Sequence, residues 1–191
     1  MLVRVAKSMD DYKAVWRLTY EEYTKCGYTD QSKVQDSCLQ HYPHLDQIPE
    51  TSVILVEECG KLLGTISVTE DGRFGLHTDE AFSEQTERIR DECAERGESL
   101  GASWRIVTSS AARQQLSVVK RLISSAIVNM RERGLDVLLF TFHPKHERFY
   151  QKVLGLRTLA KVSAVGSVCE NPAVLMIGQV VGIATRWEGA K

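Results

Sequence analysis

Residues 137–142, Val-Leu-Leu-Phe-Thr-Phe, are apolar at positions that would face both sides of a strand. Such a strand must be covered on each side, which puts it inside a sheet with helices packed above and below. What precedes it narrows the choice further. Val119, Leu122, Ile123, Ala126, Ile127 and Met130 recur at helical spacing, and Gly134 follows where a glycine normally ends a helix. Before that helix, residues 103–108 read as another strand. Strand, helix and buried strand at this spacing make a βαβ unit, with the two strands parallel and the crossover right-handed.

The other elements group around this unit. Residues 2–6 read as a first strand. Ser8, with Asp11 three residues on, opens a helix carrying Tyr12, Val15, Trp16, Thr19 and Tyr23. Residues 52–57 and 62–68 flank Cys59, Gly60 and Lys61 as an antiparallel hairpin. A charged helix is expected over 79–96 and a short one over 144–154, in which Phe149 and Val153 pack into the core. Strands follow over 158–164 and 173–181. Between 27 and 50 the chain is polar, and only 33–40 suggests a short helix. The expected fold is an α/β (α+β) domain occupying all 191 residues, with a mixed, mostly antiparallel sheet, a central parallel βαβ unit and helices on both faces.

Charge and cysteine usage exclude several classes. A net charge of −1 and a pI near 6.5 argue against nucleic acid as a partner, which usually needs a basic stripe. The five cysteines form no C-x-x-C pair, so neither a disulfide framework nor a zinc knuckle is indicated. His41 with His44, and His143 with His146, have H-x-x-H spacing, which is not that of a helical zinc pair; no metal site is expected. The start lacks the apolar run of a signal peptide, and no stretch approaches the roughly 18 apolar residues of a membrane span. A reducing, cytoplasmic setting follows.

Two constellations bear on chemistry. The first joins the 103–108 strand to the long helix: Thr108, Ser109, Ser110, then Arg113, Gln114, Gln115, Leu116, Ser117 and Val118. A helix start offers free N–H groups and the positive end of the helix dipole, which suits a phosphate, and Arg113 adds a fixed charge. The segment has no glycine to let a phosphate approach the backbone closely, so an ordinary polar helix start explains it equally well. The second runs from His143 to Tyr150. His143 caps a helix whose first turn holds Pro144, and Tyr150 lies near the carboxyl end of the buried strand, where open α/β sheets bind ligands. A tyrosine there can give a proton to a leaving thiolate; it can equally be a core aromatic.

Element order and residues together resemble the GNAT superfamily of acyltransferases. Residues 113–118, Arg-Gln-Gln-Leu-Ser-Val, stand where that superfamily has its Q/R-x-x-G-x-G/A pyrophosphate loop, with Leu116 and Val118 replacing both small residues. Residues 148–156 look like its F-Y-x-x-x-G-F helix. A closer resemblance is to the branch containing N-acyl amino acid synthases and acyl-homoserine lactone synthases. Residues 63–68 resemble its G-T-x-R-x-V strand, residues 75–82 its G-L-P-x-D-E-x-F segment, and residues 143–150 its H-P-R-H-x-x-F-Y corner.

The resemblance implies an N-acyltransferase that takes its acyl group from a pantetheine thioester, on acyl carrier protein or coenzyme A, and passes it to a small amine such as an amino acid. The thioester would lie in a splayed groove between the central parallel strands, held by backbone N–H groups of residues 108–110 and by the loop through Val118. His143 would deprotonate the amine or polarise the carbonyl, and Tyr150 would protonate the departing thiolate. Lys145, Arg148 and Lys152 would form a basic edge for an acidic carrier. The related enzymes carry a glutamate in an E-x-x-R-L strand, where this chain has Ala102 ahead of Arg105. That departure keeps open a non-catalytic acyl-thioester-binding or regulatory module on the same fold.

Overall fold

The structure is a computed structural model that describes residues 1–30, 32, 34 and 37–189. Seven strands form one sheet: β1 (Leu2–Val5), β2 (Thr51–Glu58), β3 (Lys61–Glu70), β4 (Leu100–Thr108), β5 (Val137–Phe142), β6 (Arg157–Val165) and β7 (Asn171–Gln179), in the spatial order β1-β2-β3-β4-β5-β7-β6. Only β4 and β5 run parallel; the other neighbours are antiparallel. The helices are α1 (Met9–Cys26), α2 (Asp79–Arg96), α3 (Leu116–Glu132), α4 (Glu147–Leu154) and α5 (Val180–Gly189). This is the expected α/β architecture. Of the short helix expected over 33–40, residues 33, 35 and 36 lie outside the described residues, and the described ones, 34 and 37–40, are not helical.

β5 is covered on both faces, as its composition requires. Leu138 and Phe140 join the core that α3, α4 and α5 build on one side, while Val137 and Leu139 meet Phe82, Ile89 and Cys93 of α2 on the other. On that second side α1 lays Val15 and Trp16 over β2. The Ser8 cap forms as expected, with Ser8 and Asp11 each bonding the other's backbone N–H. α3 comes very close to β3 at Gly64, where a Cβ would lie 2.9 Å from Leu122 Cδ1 and 3.0 Å from the Val107 carbonyl. A side chain there would push the helix off the sheet.

Two details differ from the sequence expectation. The last strand stops at Gln179, and residues 180–189 are helical. The β-branched pair Val180 and Val181 extends the strand pattern, but Val180, Ile183, Ala184 and Trp187 repeat at helical spacing and are buried together. The helix expected over 144–154 is a 3-10 turn, Pro144–His146, followed by α4. On α4 it is Tyr150 and Leu154, four residues apart, that face the core, with Val153 packed beside them; Phe149 points outward at 48 % exposure.

The parallel pair β4·β5 holds together over four partners only, Leu100 to Ser103 against Val137 to Phe140. Beyond them β4 bulges. Thr65 pairs with Val107 but Ser67 pairs with Trp104, and Arg105 within the bulge takes φ 50°. A bulge bends a strand and increases its twist, so β4 turns away from β5. The sheet splits there.

Candidate active site

The split opens cavities on both faces of the sheet. A groove of about 630 Å³ lies on the α3 side, walled by apolar residues that include Ile66, Ile123, Ile127, Met130, Phe140 and Ile183. A smaller chamber of about 110 Å³ lies on the α2 side, walled by Tyr28, His41, Tyr42, His77 and Trp104. Tyr23, Tyr28, Trp104, Arg105, Thr141, Phe142 and His143 line both. The carboxyl ends of β4 and β5 are therefore the partition between two compartments.

His143 and Tyr150 are brought to the groove together. Tyr150 lies flat on Phe142, with ring centroids 3.8 Å apart at 12°, and is 9 % exposed. Burial pushes its pKa up to about 12, so it keeps its proton at neutral pH. His143 Nδ1 accepts the Lys145 backbone N–H at 3.2 Å, the capping role read from the sequence. Its ring stacks on Tyr28 at 6.0 Å. Burial and the nearby Lys145 hold its pKa below the ordinary value. A neutral imidazole whose Nδ1 accepts a hydrogen bond carries its proton on Nε2. In this arrangement His143 can donate to an oxygen but has no lone pair left to take a proton.

The strand-to-helix turn is less open than its sequence suggests. Thr108, Arg113 and Leu116 line the groove; Ser109, Ser110, Gln114, Gln115, Ser117 and Val118 are not among its walls. The Ser109 N–H donates to the Leu63 carbonyl at 2.8 Å, and the Ser110 N–H to Glu22 Oε1 at 3.0 Å. These two donors, expected to hold a thioester arm, are already engaged. Arg113 donates to Glu22 Oε2 at 2.6 Å. Val118 is fully buried beside Gly64, a core residue rather than part of a cradle. Gln114, Gln115, Leu116 and Ser117 are exposed at the start of α3, and Gln115 makes no side-chain cap.

The chamber was not read from the sequence. The Tyr28 hydroxyl, both His41 nitrogens and His77 Nδ1 are buried there without a hydrogen-bond partner. Burial lowers the pKa of His77 to about 3; burial, Arg105 and His77 lower that of His41 equally far, so both rings are neutral. His77 Nε2 shares a 2.7 Å hydrogen bond with Thr141 Oγ1. Beneath them Arg105 and Asp46 form a bidentate pair at 2.7 and 2.8 Å, and Asp46 also accepts from Trp16 Nε1. Asn171 donates to the carbonyl of Gly27 just past α1, tying the β7 start to the chamber's rim. Ala102 packs in the α2-side core, and no Asp or Glu lines the chamber among the described residues. One signal was available: His77 stands where the related G-L-P-x-D-E-x-F segment has proline. No group of His, Cys, Asp and Glu able to hold a metal occurs among the described residues.

The family model for N-acyl amino acid synthase FeeM matches residues 14–178. The chain belongs to that family. By membership it is an N-acyltransferase. Among solved structures, FeeM from uncultured soil microbes superposes with a TM-score of 0.80 at 21% identity, covering 97% of this chain and 93% of that one. The CoA-dependent acyl-homoserine lactone synthase BjaI gives 0.64 at 12% identity, covering 95% and 82%. A GNAT-family acetyltransferase from Streptococcus pneumoniae gives 0.59 at 15% identity, covering 93% and 98%. At these identities the structures establish a shared fold, that of the GNAT acyltransferases. No curated protein matches the chain by sequence.

Proposed function

We propose that residues 1–191 act as one catalytic domain that moves a long acyl chain from a pantetheine thioester to the amine of an amino acid. The observation that carries this reading is the split between β4 and β5, with an apolar groove on one face and a polar aromatic chamber on the other. The acyl chain lies among the aliphatic walls of α3 and α5, and the acceptor occupies the chamber. The thioester carbonyl sits at the partition, within reach of both.

The chemistry follows from the groups present. The amine must attack as its neutral base, close to the carbonyl. A chamber lined by neutral imidazoles, with the Glu80 carboxylate engaged behind Tyr42 and Ser167 and Asp46 paired with Arg105, disfavours the ammonium form, which lowers the acceptor's pKa without the glutamate that Ala102 replaces. The nitrogen lone pair forms the C–N bond, and His143 Nε2–H donates to the carbonyl oxygen as negative charge grows there. The C–S bond then breaks, Tyr150 protonates the thiolate, and the proton shed by the attacking nitrogen as it becomes the amide restores the tyrosine. No permanently bound cofactor takes part; the thioester is a co-substrate.

An acyl carrier protein is the preferred source of the pantetheine arm. Lys145 lines the groove, and Arg148 and Lys152 are exposed on α4, the helix that carries Phe149 and Tyr150 to it; an acidic carrier would dock on this basic group. The five free thiols favour a reducing cytoplasm.

Dodecanoyl-pantetheine offered with a panel of amino acids should release thiol and yield an N-acyl product detectable by mass. Tyr150→Phe should lower kcat about 100-fold with the melting temperature unchanged. A variant as fast as wild type removes the tyrosine from the chemistry. Thioester binding without turnover across the whole panel would favour the non-catalytic module, which Ala102 and the engaged turn donors leave as the second reading.

A further inference from the structure

Glu22 on α1 is only 4 % exposed. Its Oε1 accepts the Ser110 backbone N–H at 3.0 Å, the Ser110 hydroxyl at 2.9 Å and the Lys25 ammonium at 2.7 Å; its Oε2 accepts from Arg113 at 2.6 Å. A backbone N–H, a hydroxyl, an ammonium and a guanidinium at a strand-to-helix turn are the donors that hold a phosphate. Here the chain supplies the anion itself. Burial pushes the Glu22 pKa up, but the hydrogen bonds from Lys25 and Ser110 outweigh it and leave the group below the ordinary glutamate value, ionised at neutral pH.

Glu22, Arg113, Thr108 and Leu116 all line the same end of the groove. A pantetheine arm entering there brings its phosphates to this turn. We infer that Glu22 determines donor specificity: by occupying the donors at the turn with its own carboxylate, it selects against thioesters carrying the diphosphate and nucleotide phosphate of coenzyme A. A pantetheine arm delivered by a carrier, with its single phosphodiester, meets far less of this opposition. Glu22 cancels one of the two positive charges that Lys25 and Arg113 would otherwise present to a phosphate, and a unit of charge at such a partly buried site changes affinity by about tenfold or more. The inference rests on the acyl-thioester reading above, and its test separates the two.

The donor series is dodecanoyl-CoA, dodecanoyl-dephospho-CoA and dodecanoyl-pantetheine, each with the same amino acid. In wild type, kcat/KM should rise as phosphates are removed. In Glu22→Gln, which keeps the side chain's shape and one accepting oxygen, the ratio of kcat/KM for dodecanoyl-CoA over dodecanoyl-pantetheine should rise about tenfold. A wild type that prefers dodecanoyl-CoA, or a ratio unmoved by the substitution, overturns the assignment. Calorimetric titration with coenzyme A alone reads the same effect without turnover, and Glu22→Gln should bind it about tenfold more tightly. If no donor is turned over, the acyltransferase reading fails while the titration still decides for or against Glu22. If Glu22→Gln does not fold, the wild-type donor order decides.

Discussion

The groove on the α3 side is walled by Ile66, Ile123, Ile127, Met130 and Ile183, whereas the chamber across the sheet presents Tyr28, His41, Tyr42, His77 and Trp104. The two begin at the same strand ends, yet they select in different ways. Aliphatic walls offer no hydrogen bonds, so a chain is accepted by length and shape, and each extra methylene changes affinity modestly. The chamber buries the Tyr28 hydroxyl, both His41 nitrogens and His77 Nδ1 unpaired, which is costly unless a ligand pairs them. A site built to hydrogen-bond its substrate rejects an analogue lacking those groups far more strongly than an apolar pocket can. The acceptor side should therefore be the discriminating half of the enzyme, and the donor side the tolerant one.

The largest test removes the partition itself. Arg105 lines both cavities, and its guanidinium and the Asp46 carboxylate are almost entirely inaccessible. Asp46→Ala leaves that guanidinium buried without its counter-ion, at a cost of about 3–5 kcal/mol. Urea unfolding should show that loss, and donor and acceptor KM should rise together. If only one KM changes, the cavities do not share this wall functionally.

Acid should attack the chamber before the groove. His41 and His77 have pKa values near 3 in the fold, against about 6.5 for an unfolded histidine. Between those values the unfolded chain binds protons that the native state refuses, so stability falls as pH drops below the unfolded value. Each ring contributes about 1.4 kcal/mol per pH unit within that window. His143 and His146 act in the same direction, each lowered first by burial and then by Lys145. Unfolding measured between pH 7 and pH 5 should show the loss, and His41→Asn should flatten the slope by about one proton. A slope that does not change places His41 in a solvated setting.

A crossed pair of substitutions sharpens the contrast at about a tenfold effect per site. Ala126→Phe fills the groove from α3 and should lower kcat/KM for dodecanoyl relative to butyryl donors about tenfold, leaving the ranking of amino acids unchanged. His77→Ala removes a polar wall and should raise acceptor KM about tenfold while leaving the chain-length ranking alone. Effects that cross over would show one continuous site rather than two compartments.

The same contrast explains what the sequence made legible. Periodicity gives the fold, because residues 137–142 and the stripe from Val119 to Met130 each belong to one element. The groove side is legible for the same reason: its walls are the inward faces of those elements, and His143 and Tyr150 stand at their ends. The chamber is assembled from Tyr28 and His41 in the polar stretch between α1 and β2, His77 ahead of α2 and Trp104 in the bulge. No period links such positions, and Asp46 meets Arg105 across 59 residues. The turn hides its partners for a different reason. Its donors are present as read, but the acid that accepts from Ser110 lies 88 residues away on α1.

The smallest effect concerns the groove's outer edge, where the donor side meets solvent and the chamber has no counterpart among these residues. Arg148 and Lys152 are exposed on α4, one turn apart, on the helix that carries Tyr150 inward. Exposed charges at a rim steer encounter more than they hold a complex, and salt screens them over about 8–10 Å. Reversing both, Arg148→Glu with Lys152→Glu, should raise KM for an acyl carrier protein about threefold to tenfold at low salt, with the gap closing as ionic strength rises. Turnover of dodecanoyl-pantetheine, which has no carrier to steer, should be unaffected. Equal losses with both donors would instead mean that the reversal disturbs α4 and Tyr150, and the edge would then belong to the groove's architecture.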